Sequence, residues 1–539
     1  MKTIATLAVT LLFCCITMAQ SPTAALIPVP NHIEQGKAGQ TFNLKKRNTL
    51  TSDLPADAFA VKELQRIVKE RTGIELHYAG KGCIKMSIDT ALGCSERYTI
   101  KVTGKEIRIT GATETALLHA TRTLDQMLLG DIANSTDGRI ACIFIDDKPR
   151  YPHRAIMIDP ARHFLPVEDV KFFIDLIAKY KYNTLQLHLT DDQGWRVEIK
   201  SHPELTAKGA FRNSKGGSNG PDNGYYTQEE LKEIVRYAAE RGIEVIPELD
   251  IPGHSVAILA AYPHLGCAFR HSEAKDLNST TNMMLCACSD EAYSIYSDIF
   301  KELADIFPSK NIHLGGDEAA IKENWAKCED CLALMRANGY SSPAQLMNIF
   351  FGRMLDLVRK NGKKPTLWCE LDNIYPPAND YLFPYPADVT LVTWRYGLTP
   401  KCIELTRKHG HNLIMAPGEH AYLDYPQYRG DLPEHNNWGM PVTTLEQTYS
   451  LDPSYGLPQE ETAHIIGIMG TLWGEAIRDI NRVNYMAFPR ALALAEAGWS
   501  EMPQRSWEGF KARLTPNITD LFRCGAAVRV PFEVYRDCE

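Results

Sequence analysis

The sequence has no block of basic residues, no low-complexity tract and, beyond its first twenty positions, no apolar run long enough to cross a membrane. Lys and Arg number 58 against 66 Asp and Glu, for a net charge of −8. That balance argues against nucleic acid or an anionic membrane surface as the main partner. Cysteine is scarce and mostly widely spaced, 14 in 539 residues, which excludes a small disulfide scaffold. What remains is an ordinary globular composition, 44% apolar and 23% charged. A chain of this length exceeds one core, so two or three domains are expected.

The first residues read as an export signal. Lys2 precedes an apolar run from Ile4 to Met18, and Thr17-Met18-Ala19 offers a small-residue cleavage site before Gln20. Removal of 1–19 would leave an exported protein, whether periplasmic, secreted or at the cell surface. A retained N-terminal anchor is the alternative, and Cys14 raises a lipid-anchored form as a further one, although Phe13 is bulky for the residue before such a site. Twelve cysteines remain once Cys14 and Cys15 are removed. Cys267, Cys286, Cys288, Cys328 and Cys331 fall on two segments flanking one strand. In an exported protein disulfides are the first expectation. Cys328-x-x-Cys331 also has the spacing at which two thiolates share a tetrahedral metal, and free buried thiols are a third reading. Asn134, Asn278 and Asn517 open N-glycosylation sequons.

Periodicity divides the rest. Between 20 and 148, Ala58–Arg71 and Thr115–Leu129 read as helices, and Tyr98–Val102 with Glu106–Thr110 as a hairpin. A compact α+β domain with a small antiparallel sheet is expected. From 149 to 500, short apolar strands alternate with helical segments such as Val167–Tyr180 and Gln228–Arg241. Eight strand candidates, at His153–Asp159, Thr184–Thr190, Glu244–Asp250, Asn311–Gly315, Pro365–Glu370, Val389–Arg395, Asn412–Pro417 and Ile465–Trp473, predict an α/β fold, a (β/α)8 TIM barrel. Residues 501–539 read as a terminal helix and tail packed on the barrel.

Active sites of such barrels form where the strands end. In order, these ends carry Asp159 and Arg162, then His188 with Asp191, Glu248 with His254, Asp317-Glu318, Trp368 with Glu370, Trp394-Arg395, Tyr422 with Asp424, and Trp473 with Glu475. Polar or aromatic residues at all eight ends make a site, and tryptophans among carboxylates suit a sugar ring, whose C–H faces stack on aromatics. Neighbours on a regular strand point to opposite faces, so Asp317 and Glu318 could share one substrate only if Gly315-Gly316 relax the backbone. Two adjacent carboxylates would also split their titration, the first ionising easily and the second kept protonated for acid work.

These residues resemble glycoside hydrolase family 20, the β-N-acetylhexosaminidases. The signatures are His313-Leu-Gly-Gly-Asp-Glu318, His188-Leu-Thr-Asp-Asp-Gln-Gly-Trp195 and Pro252-Gly-His254, with Asp159-Pro-Ala-Arg-His163 and Ala421-Tyr-Leu-Asp424 in support. The resemblance implies exo-hydrolysis of terminal non-reducing β-linked GlcNAc or GalNAc from glycans, with retention through an oxazolinium formed by the substrate's own acetamide and no cofactor. It implies Glu318 as acid/base, Asp317 as the group that orients the acetamide, Tyr422 as a partner of the acetamide oxygen, and Asp191 with His254 as a relay to Glu318. Trp368, Trp394 and Trp473 would box the sugar, joined by Trp438. Arg162, Asp424 and Glu475 would bind its hydroxyls. Rival readings are a retaining glycosidase using Glu370 or Glu475 as covalent nucleophile, a metal-dependent hydrolase, disfavoured because Gln186-x-His188 lacks a paired histidine, and a sugar-binding protein without chemistry. Oligomeric state is left open by the sequence.

Overall fold

The computed structural model describes residues 23–130, 137–211, 223–267, 283–370, 385–431 and 439–535. The export signal, Cys14, Asn134, Asn278 and Trp438 lie outside them.

Strands β1 (His32–Gln35), β3 (Thr49–Ser52), β4 (His77–Tyr78), β5 (Ile84–Ile88), β6 (Tyr98–Val102), β7 (Ile107–Gly111) and β9 (Ile143–Asp147) form a seven-stranded sheet in the order β1-β9-β6-β7-β5-β3-β4. A separate pair joins β2 (Thr41–Asn43) to β8 (Arg139–Ala141). The expected hairpin is β6–β7, with Ile100 opposite Ile109. The expected small antiparallel sheet is corrected, because β5 runs parallel to both β7 and β3. Alternation marks a strand but not its direction, and parallel neighbours join through long connections. Helices α1 (Phe59–Thr72) and α2 (Glu114–Gly130) bury Leu64, Ile67, Leu117 and Leu124 in one cluster with Ile84, Ile100 and Ile109 of this sheet.

Eight strands then close a barrel. They are β10 (His153–Ile158), β11 (Thr184–Thr190), β12 (Glu244–Leu249), β13 (Asn311–His313), β14 (Lys364–Trp368), β15 (Thr390–Val392), β16 (Leu413–Met415) and β17 (Ile465–Leu472). Every neighbouring pair is parallel, and β10 closes on β17. Residues of β11 are buried along its whole length, which is why such strands read as apolar runs rather than alternations. The helices outside are amphipathic except Arg490–Trp499, in which every residue is buried. In the series α3 (Val167–Ala178), α4 (Gln228–Glu240), α5 (Asp290–Ile306), α6 (Glu329–Ala337), α7 (Leu346–Lys360), α8 (Thr399–His409), α9 (Arg490–Trp499) and α10 (Trp507–Arg523), α4 is representative. It buries Leu231, Ile234, Val235 and Ala238, and Thr227 with Glu230 closes its start as a capping box.

The C-terminal helix packs on more than the barrel. Arg513 and Asn517 of α10 donate to the Leu26 and Ala25 carbonyls at 2.6 and 2.9 Å, and Asp520 pairs with Arg71 of α1 and with Lys179 beside α3. Trp499, at the end of α9, is buried in the core of the N-terminal unit, its indole N–H 3.0 Å from Asp147. Asn517 is buried with its amide committed to two carbonyls, so its sequon is not an acceptor in the folded chain. No helix of the described residues is long and apolar enough to cross a membrane.

Candidate active site

Barrel register sets the floor of the site. His188 of β11 stands beside Glu248 of β12, which stands beside His313 of β13. The Glu248 carboxylate accepts from Gln186 Nε2 at 2.7 Å and Trp368 Nε1 at 2.8 Å, and lies 3.1 Å from His188 Nδ1 and 3.2 Å from His313 Nδ1. Burial opposes its ionisation, but the imidazoles of His313 and His188 outweigh this and hold Glu248 well below the usual carboxylate range. None of these side chains reaches the cavity above. They fix the ring of Trp368 and the ends of three strands.

One layer up, Arg162 is clamped. Asp159 accepts from its Nη1 at 2.8 Å and from Gly474 N at 2.8 Å, which ties the ends of β10 and β17. Asp191 takes Nη2 at 3.0 Å, and the guanidinium carbon lies 5.0 Å from the Trp473 ring centre. Asp191 also meets His188 Nε2 at 2.9 Å and His254 Nδ1 at 3.3 Å. The opposite nitrogen of His254 faces the acid pair, 3.9 Å from Asp317 Oδ2 and 3.7 Å from Glu318 Oε2. Burial disfavours charge on His254, yet Asp191, Asp250 and Asp317 overcome it and raise its pKa well above that of free histidine. A line of contacts from Arg162 through Asp191 and His254 thus ends on Asp317 and Glu318.

Backbone conformation delivers that pair. Gly315 and Gly316 have φ of +64° and +98°, and Glu318 itself has +45°. A Cβ on Gly315 would lie 1.8 Å from Asp250 Oδ1, the oxygen that accepts the Gly316 N–H at 3.1 Å. Glycine is therefore needed both for the turn and for the close approach, and the expected relaxation of the strand is observed. The environments of the two acids differ in the opposite sense to that expected. Asp317 is 5% exposed, whereas the Glu318 side chain is 44% exposed. Burial, with Glu318 and Glu248 nearby and His254 only partly compensating, pushes the Asp317 carboxyl above its usual range. Burial falls on the first acid of the pair, while the second stands half exposed.

Glu318 is held from behind. Its N–H donates to Glu370 Oε2 at 3.0 Å, and Arg395 Nη2 lies 3.4 Å from its Oε1. Glu370 is fully buried and occupied with this backbone contact, which removes it as a covalent nucleophile. A cavity of about 730 Å³ opens over the pair, walled by Trp394, Trp473, Tyr422 and Tyr425, with Arg162, Asp424 and Glu475 on one side. Trp368 is corrected from wall to support. It is buried, does not line the cavity, and packs under Trp473 with ring centres 5.5 Å apart. Asp191 likewise acts from behind the wall. Asp317 Oδ1, Tyr422 Oη and Asp424 Oδ1 are buried and find no hydrogen-bond partner among the described residues. Buried polar atoms of that kind are costly unless a ligand satisfies them. Tyr396, Tyr425, Met440 and Pro441 also line the cavity and were not expected there, and so does Arg395, which was placed at a strand end but given no role. The position of Arg395 at a strand end, beside Trp394, was the available signal.

A closed parallel barrel whose strand ends gather two adjacent carboxylates under aromatic walls defines a glycoside hydrolase. The particular family follows from comparison. Residues 151–502 match the catalytic domain of glycosyl hydrolase family 20, and 23–148 match domain 2 of the same family. The chain is 42% identical to a β-hexosaminidase of Akkermansia muciniphila, over 78% of this chain and 82% of that one. Among solved structures it resembles an exo-β-N-acetylglucosaminidase from Vibrio harveyi in complex with N-acetylglucosamine, at TM-score 0.82 and 30% identity over 95% of this chain and 79% of that one. It also resembles the Streptomyces plicatus N-acetyl-β-hexosaminidase in complex with Thio-NAglucal, at TM-score 0.80 and 30% identity over 95% and 97% of the two chains. The chain belongs to glycosyl hydrolase family 20, the β-N-acetylhexosaminidases.

Proposed function

We propose that this enzyme removes terminal, non-reducing β-linked GlcNAc and GalNAc from glycans with retention of configuration, and that the nucleophile is the substrate's own acetamide oxygen. The carrying observation is the division of the acid pair. Asp317 is buried, and one of its oxygens and the Tyr422 hydroxyl, both on the cavity, find no hydrogen-bond partner among the described residues, while Glu318 stands at the open edge. A buried acceptor and a buried hydroxyl on one cavity suit an amide. Asp317 accepts the acetamide N–H, and the Tyr422 hydroxyl donates to the acetamide oxygen. That oxygen attacks C1 as the glycosidic C1–O bond breaks, and Glu318 gives its proton to the leaving oxygen. Asp317 offsets the positive charge that develops on the cyclised acetamide. Water then adds to C1 as the bond between C1 and the acetamide oxygen breaks, which regenerates the acetamide, while Glu318 takes back a proton.

The remaining cavity supports the sugar itself. Trp394 and Trp473 offer faces for the ring and the acetamide methyl, and Arg162, Asp424 and Glu475 offer groups for the 3-, 4- and 6-hydroxyls. The N-acetylglucosamine held by the Vibrio harveyi relative supports the same sugar class here. Export of the mature chain is part of the proposal, supported by Lys2 and the apolar run behind it. Hydrolysis of p-nitrophenyl β-GlcNAc and β-GalNAc, followed by NMR of the first anomer released, tests the reading. It predicts turnover of both, with the β-anomer appearing first and little action on the β-glucoside. No turnover of either, or the α-anomer first, would overturn it.

A further inference from the structure

Away from the cavity, four cysteine sulfurs meet at one point. Cys267, Cys286, Cys328 and Cys331 are all buried, and every pair of their sulfurs lies within 4.8 Å. Cys331 Sγ is 3.7 Å from Cys267 Sγ and 3.6 Å from Cys286 Sγ. No disulfide joins the described cysteines, which corrects the first expectation for this cluster. Two disulfides would draw sulfurs into pairs about 2.05 Å apart. Four thiolates on a tetrahedral zinc with Zn–S bonds of about 2.3 Å would instead sit about 3.8 Å from each other. The observed separations fit the tetrahedron. We propose that Cys267, Cys286, Cys328 and Cys331 form a closed tetrathiolate site for a structural zinc ion.

The ligand chemistry suits the metal, since soft thiolates in a tetrahedral array select zinc over the oxygen-seeking cations. Cys328 directly precedes α6 and Cys331 lies in its first turn, the short spacing on which such sites are built. The half-buried Cys288 also approaches Cys331, at 3.7 Å, but stands outside the set of four. All four positions of the ion are filled by protein sulfur, and none of the four cysteines lines the catalytic cavity, so the site is a brace.

What it braces follows from the chain. Cys267 and Cys286 belong to the segment after β12, where Gly266 bridges Leu285 and Cys286 N donates to Leu265 O at 2.8 Å. Leu285 N in turn donates to Pro252 O at 3.0 Å, two residues before His254. Cys328 and Cys331 belong to the segment after β13, which carries Asp317 and Glu318. Trp325 Nε1 already donates to Leu285 O at 2.8 Å across the gap. The ion therefore ties the loop that carries His254 to the loop that carries the acid pair.

The test is metal analysis of the full-length protein, purified without chelator from zinc-supplemented cells, by plasma mass spectrometry. About one tightly held zinc per chain is expected, lost in Cys328→Ser/Cys331→Ser and kept in Cys288→Ser. Should the double variant fail to fold, growth of the wild type in cobalt gives the second readout. A tetrathiolate then shows intense sulfur-to-cobalt charge transfer and visible bands of tetrahedral cobalt. Alkylation under denaturing, non-reducing conditions with chelator should label all four cysteines. Peptide mapping that finds any of them in disulfides, or wild-type protein with labelled thiols and no zinc, would overturn the proposal.

Discussion

Replacing Glu318 by Gln probes the proton carrier with little change of shape. The amide keeps the length of the side chain, and the backbone N–H bond to Glu370 at 3.0 Å does not depend on the substitution. What is lost is the proton, together with the charge facing His254 at 3.7 Å and Arg395 at 3.4 Å. A positioned acid/base contributes roughly 10²–10⁴-fold, so the barrier should rise by about 3–5 kcal/mol. The size of the loss should depend on the leaving group. A nitrophenolate departs without help, whereas a sugar alkoxide does not, so the variant should lose more kcat on N,N′-diacetylchitobiose than on p-nitrophenyl β-GlcNAc. Steady-state kinetics on both substrates, with circular dichroism to verify folding, makes the comparison. Wild-type turnover, or an equal loss on both substrates, would refute acid catalysis by Glu318.

Asp317→Asn should hurt most on substrates that bear the acetamide, and an equal loss on substrates without it would remove its proposed role. Burial raises the Asp317 pKa, and the mechanism needs its ionised form. Activity is therefore lost as pH falls through that raised value, so the acid limb of kcat/KM should lie above about 3.9, the ordinary aspartate value. That limb should vanish in Asp317→Asn, and an unchanged limb in the variant would contradict the assignment. Gly315→Ala forces a Cβ to 1.8 Å from Asp250 Oδ1 at φ +64°, and should cost about 2–4 kcal/mol in urea unfolding. Gly339→Ala, at φ +68° with nothing within 4 Å of the new atom, carries only the backbone part of that cost. Equal midpoints for the two variants would show that contact with Asp250 is unimportant.

The barrel was legible because each of its strands is an apolar run that ends in a polar or aromatic group. The His313-to-Glu318 segment shows this best, with two glycines marking where the strand must break. Sequence did not reveal the parallel pairings in the N-terminal sheet, since β5 and β7 look like any other alternating strands. Nor did it reveal burial, which is a property of the assembled site. Asp317 and Glu318 are neighbours in the chain, yet only the assembled fold decides which is buried and which stands exposed. The same limit applies to Trp368, whose place under Trp473 follows from its bond to Glu248 on another strand. The cysteines were visible as a group, but the convergence of four sulfurs, against pairing in disulfides, required the fold.

The central claim is that the nucleophile belongs to the substrate. Inhibition by a thiazoline that mimics the cyclised acetamide tests it most directly. Competitive inhibition with a Ki far below the KM for p-nitrophenyl β-GlcNAc is expected, weakened in Asp317→Asn, where the proposed partner of the ring nitrogen is lost. Absence of thiazoline binding, together with a covalent glycosyl adduct trapped on Glu475 or another carboxylate, would contradict it.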